Sequence, residues 1–163
     1  MEVEIFTLEP SDWVPNNQRL PVIVYRSALP GPDAATAFEQ AFAAHGWKGI
    51  WRNGVYGYHH YHTGAHEVLG VAKGSATLLI GGPTGRELTV TAGDCLLLPA
   101  GTGHKKLRAE VEFVVVGAYP PGQEADIQTS APSKDQFDTI AGLPIPRSDP
   151  VAGESGPLSG AWK

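Results

Sequence analysis

Apolar positions along the chain change period three times, and each change marks an element. Leu20 to Arg26 (LPVIVYR) is a short apolar run behind the turn-rich VPNN segment, and its length suits a strand. Next, Phe38, Ala41 and Phe42 recur at helical spacing. Asp33 can cap the start of that helix, and Gly46 after His45 can end it. From Trp47 to Tyr119 the pattern becomes one of short strands separated by glycine turns. The runs are GVYGYHHYH, EVLGVAKG, SATLLIGG, ELTVTAG, CLLLPAG and VEFVVVGAY, at the spacing of a β-sandwich or barrel. After Pro120 the chain carries prolines at 120, 121, 132, 144, 146, 150 and 157, and reads as loop. Leu143, Ile145, Val151, Leu158 and Trp162 give this segment apolar anchors. It is therefore expected to lie as an arm over the strands or over a neighbouring subunit. The pattern predicts one all-β domain over 1–163: an N-terminal arm and helix (1–46), a strand core (47–119) and a C-terminal arm (120–163).

Composition sharpens this picture by exclusion. Twenty glycines and fourteen prolines in 163 residues favour frequent turns over long helices. A net charge of −5 lacks the basic stripe that nucleic acid requires. No apolar run approaches the roughly 20 residues of a membrane-spanning helix, so no membrane partner is expected. The start, MEVEIFTLEP, has no basic, apolar secretion signal. Cys95 is the only cysteine, so no internal disulfide forms, and it is expected to act as a small buried hydrophobe. The expectation is a cytoplasmic globular protein.

The chemistry concentrates in histidine. His59, His60, His62 and His66 lie together, with His104 further on; His45 sits apart at the helix end, where it can favour the helix dipole. If GVYGYHHYH is a strand, His60 and His62 present both imidazoles to one face and His59 faces away. The turn Thr63-Gly64-Ala65 then lets Glu67 reach the same side. Imidazole nitrogens with a carboxylate suit a borderline divalent metal.

At this point the chain resembles the cupin superfamily. Its first motif reads here as Gly54, five residues, His60-Tyr61-His62, four residues, Glu67, six residues, Gly74. Its second reads as Gly93, five residues, Pro99-Ala100-Gly101, two residues, His104, three residues, then Arg108 where the family has Asn. The resemblance implies a cupin-type β-barrel (double-stranded β-helix, jelly roll) holding one divalent ion, Fe, Mn, Ni or Zn, between His60, His62, Glu67 and His104. A narrower resemblance spans nearly the whole chain: VPNNQRLPV, WRNGVYGYHHYHTGAHEVLGV and PIPRSDPVAGESGPL are similar to the YjlB-like branch of the cupins.

The superfamily hosts dioxygenases, sugar isomerases, decarboxylases and binding proteins, so fold alone does not choose a reaction. Two classes stand open. One is a metal-dependent enzyme, of dioxygenase or isomerase type, acting on a small oxygen-rich or carbonyl compound. The other is a binding module whose metal holds a ligand or stiffens the fold. Strand parity places Tyr56 and Tyr58 on the metal side, and Tyr58, the nearer, is the candidate catalytic proton-exchanging group. Lys106 and Arg108 share the parity of His104 and, if no bulge intervenes, bring positive charge to the pocket, favouring an anionic small-molecule ligand. His59 and His66 are expected to stay out of the ligand set. Small cupins usually pair, so a homodimer is expected.

Overall fold

The computed structural model describes residues 1–163. In chain order the elements are β1 (Glu2–Phe6), β2 (Val22–Arg26), α1 (Ala34–Ala44), β3 (Lys48–Asn53), β4 (Glu67–Lys73), β5 (Ser75–Ile80), β6 (Arg86–Thr91), β7 (Cys95–Leu98), β8 (His104–Ala109), β9 (Val114–Tyr119), α2 (Lys134–Gly142) and α3 (Pro157–Ala161). Two antiparallel sheets form: a six-stranded one ordered β1-β2-β7-β4-β9-β3, and a three-stranded one ordered β6-β5-β8. This is the all-β architecture of a jelly roll. No helix is long and apolar enough to cross a membrane.

The middle strands of the six-stranded sheet are buried on both faces, which is why VIVY, CLLL and FVVV lack polar alternation. On one face Ile23, Tyr25, Val68, Cys95, Leu97, Val116 and Ala118 pack under α1 with Phe38, Phe42 and Trp47. On the other, Val22, Val24, Leu69, Val71, Leu96, Leu98 and Val115 meet Ala76, Leu78, Ile80, Leu88 and Val90 of the small sheet. The small sheet shows water its outer face, so RELTVT alternates as a half-buried strand should. Gly70 faces α1, and a Cβ there would sit 2.5 Å from the Phe38 ring. Glycine is what lets α1 lie down on β4.

Helix α1 forms as its spacing predicts: Asp33 accepts from the Thr36 amide at 3.2 Å, and Gly46 follows its last turn at φ +82°. Three expectations need correction. GVYGYHHYH is not a strand; Gly54 and Gly57 break it, and only the isolated bridges His60↔His104 and Tyr61↔Gln128 remain. Glu2–Phe6 is an additional strand, paired with β2. The C-terminal arm is not all loop. It holds α2, whose N-terminus is a capping box between Ser133 and Gln136, and α3, which opens on Pro157. At the C-cap of α1, His45 Nδ1 lies 2.8 Å from the Pro150 carbonyl of the arm.

The arm packs on its own chain. Leu158 and Trp162 join the core beneath α1, and the Trp162 indole N–H donates to the Pro21 carbonyl at 2.9 Å. Asp149, fully buried, accepts from the Tyr25 hydroxyl (2.7 Å) and from the amides of Val151, Ala152 and Leu158 at 2.8–3.0 Å. The phenol of Tyr25 is held far above its ordinary pKa, by burial first and then by Asp149, so it remains a donor.

Candidate metal centre

Both sheets and the segment between them meet at one end of the interior, and each brings a candidate ligand. Glu67 opens β4 with the parity of Leu69 and Val71, so its carboxylate points between the sheets. His104 opens β8 opposite Ile80 of β5, on the inner face of the small sheet. His60 reaches the same place through its bridge to His104: the His104 amide donates to the His60 carbonyl at 3.0 Å, and the reverse bond is 3.3 Å. His62 is fixed by the Gly101 amide, which donates to its carbonyl at 2.8 Å. The turn after it is held by Asp126, whose carboxylate accepts from the amides of Thr63 (2.7 Å) and Gly64 (2.9 Å).

Ring orientation is set by three carbonyls. His60 Nδ1 faces the Tyr58 carbonyl at 3.2 Å, His104 Nδ1 faces that of Thr102 at 3.0 Å, and His62 Nδ1 faces that of Asp126. A carbonyl can only accept, so each Nδ1 carries the hydrogen and each Nε2 is left with a lone pair. Ligand atoms of the three histidines lie within 4.8 Å of one another. Glu67 Oε1 is 3.3 Å from both His62 Nε2 and His104 Nε2. Three imidazole nitrogens and a carboxylate thus converge in one buried space. That is a site for a cation.

The electrostatics agree. Burial alone would raise the pKa of Glu67, yet His62 and His104 hold it far below the usual carboxylate range. Burial depresses His62, but Glu67 outweighs it and the net shift is upward. His60 falls to about 3, through burial and then the neighbouring His104, so it is a neutral donor at neutral pH. The donor set fits one divalent ion of the imidazole-preferring kind.

A cavity of about 510 Å³ opens from this point to solvent, with Trp51, Tyr56, Leu69, Tyr119 and Ile127 along its walls. Tyr58, expected to face the metal, does not line it. The residue is 48% exposed and its ring stacks on Tyr56 with centroids 4.9 Å apart, because Gly57 turns the chain where a strand was expected. Its backbone matters instead, as the carbonyl that orients His60. Tyr119, which the motifs did not single out, stands beside Glu67, and the Trp51 indole N–H donates to its hydroxyl at 2.8 Å. Burial, then the Glu67 charge, keeps that phenol well above its usual pKa and therefore protonated. VVVGAY held the signal: Val115, Gly117 and Tyr119 share the inner parity, and Gly117 leaves room for Trp51, whose ring a Cβ would meet at 2.2 Å.

The structure turns His59 and His66 away from the centre. His59 Nε2 accepts from the Gly82 amide at 3.2 Å. His66 is buried on the arm side, where its Nδ1 accepts from the Ala100 amide at 2.9 Å and its ring packs edge-on to Trp162. A bulge at Leu107 separates Lys106 from Arg108 in β8. Leu78 pairs with Lys106, but Thr77 pairs with Arg108. Lys106 therefore lines the cavity, while Arg108 faces outward with Thr77 and Thr89.

The cupin domain family matches residues 50–116, which contain all four converging residues. The uncharacterized protein YjlB of Bacillus subtilis (strain 168) is 34% identical over 163 residues, spanning 99% of this chain and 97% of its own. The chain is a YjlB-like cupin. Among solved structures, acireductone dioxygenase from Bacillus anthracis with a cadmium ion in its active centre aligns with a TM-score of 0.43 and 16% identity. The alignment covers 63% of this chain and 79% of that one.

Proposed function

We propose that this cupin is a metal-dependent enzyme acting on a small oxygen-rich or carbonyl compound, with one divalent ion held by His60, His62, Glu67 and His104. The observation that carries the reading is the convergence of three imidazole lone pairs and Glu67 at the inner end of an open cavity. A divalent ion there supplies Lewis acidity toward an oxygen ligand. The chain's own groups do the rest. The carbonyls of Tyr58, Thr102 and Asp126 keep the imidazoles in the ligating tautomer. The aromatic walls of Trp51 and Tyr119 limit water. Tyr119, its oxygen fixed by Trp51, offers a phenolic proton to an oxygen of the bound compound, and in this reading it takes the part first given to Tyr58.

Elemental analysis of purified protein tests the reading, combined with aerobic and anaerobic substrate screening. Wild type is expected to hold about one divalent ion per chain. His62→Ala and His104→Ala should each lose metal affinity by ~100-fold or more with the fold retained by circular dichroism, a larger loss than for an outer partner of a ligand. Oxygen uptake with iron would mark the dioxygenase type, and turnover without oxygen the isomerase type. A wild-type protein that takes up none of Fe(II), Mn, Ni or Zn would overturn the proposal.

A further inference from the structure

The cavity contains a cation with no partner. Lys106 lines it half-buried and takes part in no ion pair. The only acid on the cavity wall is Glu67, already engaged by His62 and His104. The Leu107 bulge makes this charge single, since it sends Arg108 to the outer face of the small sheet. The backbone of Lys106 is also tied to the cavity rim, its amide donating to the Tyr56 carbonyl at 2.8 Å. Trp51, Leu69 and Ile127 add apolar and aromatic wall to the same cavity. None of the residues lining the cavity belongs to a helix, so no helix N-terminus adds the bank of amide donors that phosphate groups use.

From this juxtaposition we infer that the cavity takes a small carboxylate with an apolar body, its carboxylate paired with the Lys106 ammonium and its body laid against Trp51 and Ile127. One cation without an amide nest matches a monoanion better than a phosphate. The remaining wall, within a cavity of about 510 Å³, accommodates a ring or branched chain of a small metabolite. The inference deepens the proposed function by naming a substrate class, but the Lys106 contact itself needs no metal.

Calorimetric titration with phenylpyruvate and with its methyl ester tests it, on metal-loaded and on chelator-treated protein, with metal content measured for each sample. The acid should bind about 10-fold or more tighter than the ester, and Lys106→Gln should remove that difference while Lys106→Arg keeps most of it. Metal content should be the same in all three proteins. Failure of the metal reading would show as metal-free wild type, and the acid–ester difference would still be decided in that protein. Equal binding of acid and ester, an unaltered Lys106→Gln, or inorganic phosphate displacing the acid at equal concentration would each overturn the inference.

Discussion

Asp126 works on the centre from outside the cupin motifs. Its carbonyl holds His62 Nδ1, and its carboxylate accepts from the Thr63 and Gly64 amides and from the Gln128 side chain at 2.7–2.9 Å. Its own pKa is lowered: burial would raise it, but the Thr63 and Gly64 bonds prevail. Gly64 has no room for more, since a Cβ would meet the Glu124 carbonyl oxygen at 2.5 Å. The turn and the segment 124–128 are therefore fitted to each other, and through them the angle of His62. Asp126→Ala keeps the carbonyl at His62 Nδ1 but releases the Thr63–Gly64 turn that sets the angle of His62, and should lower metal affinity about 10-fold, the low end of the loss seen when the surroundings of a ligand are disturbed. Asp126→Asn, which keeps an accepting oxygen, should fall between. Competition with a metallochromic chelator reads both. None of this was visible in sequence, because the contact joins residues more than sixty positions apart inside a stretch that reads only as loop.

Among the elements, those defined by composition were legible and those defined by pairing were not. Helix α1 and the strands of the large sheet announce themselves through spacing and unbroken apolar runs. The strand expected at 54–62 does not form; His60 and His62 still reach the same side because the bridge to His104 holds them there. The Leu107 bulge leaves no mark in HKKLRA, since only the register against β5 reveals it. Helix α2 carries a legible signal amid the prolines, since Ser133 and Gln136 spell a capping box. The arm's attachment depends on Asp149 under Tyr25, with four donors on one buried carboxylate. Asp149→Ala leaves the Tyr25 hydroxyl and the Leu158 amide buried without acceptors, at about 1–3 kcal/mol each. Denaturant unfolding should show a loss of roughly 3 kcal/mol, with Asp149→Asn losing less. A variant as stable as wild type would mean the arm is held by Leu158 and Trp162 alone.

Across the whole molecule, the four converging residues come from three separate parts of the fold. Glu67 belongs to the six-stranded sheet, His104 to the three-stranded one, and His60 and His62 to the segment between. An ion that contacts all four cross-links the two layers at the end where the interior is open and the apolar core thins into a cavity. Without it, three lone pairs and a carboxylate face one another across 3.3–4.8 Å with a proton as the only available counter-charge. The native state binds the ion in this geometry and the unfolded chain does not, so the binding free energy adds to stability. At a free-metal level 100 times the dissociation constant the gain is about 2.7 kcal/mol, and in a chain of this length each kcal/mol moves Tm by about 2–4 °C. Treatment with a chelator should therefore lower Tm by roughly 5–11 °C by scanning calorimetry. Adding back one equivalent of ion should restore it. His104→Ala should already melt below wild type and show no further chelator effect, because the link between the sheets is broken before the ion is removed. An unchanged Tm on chelation of a protein shown to hold metal would mean that the ion sits on one layer alone, and that the sheets are held together by Leu78, Ile80 and Leu98 without its help.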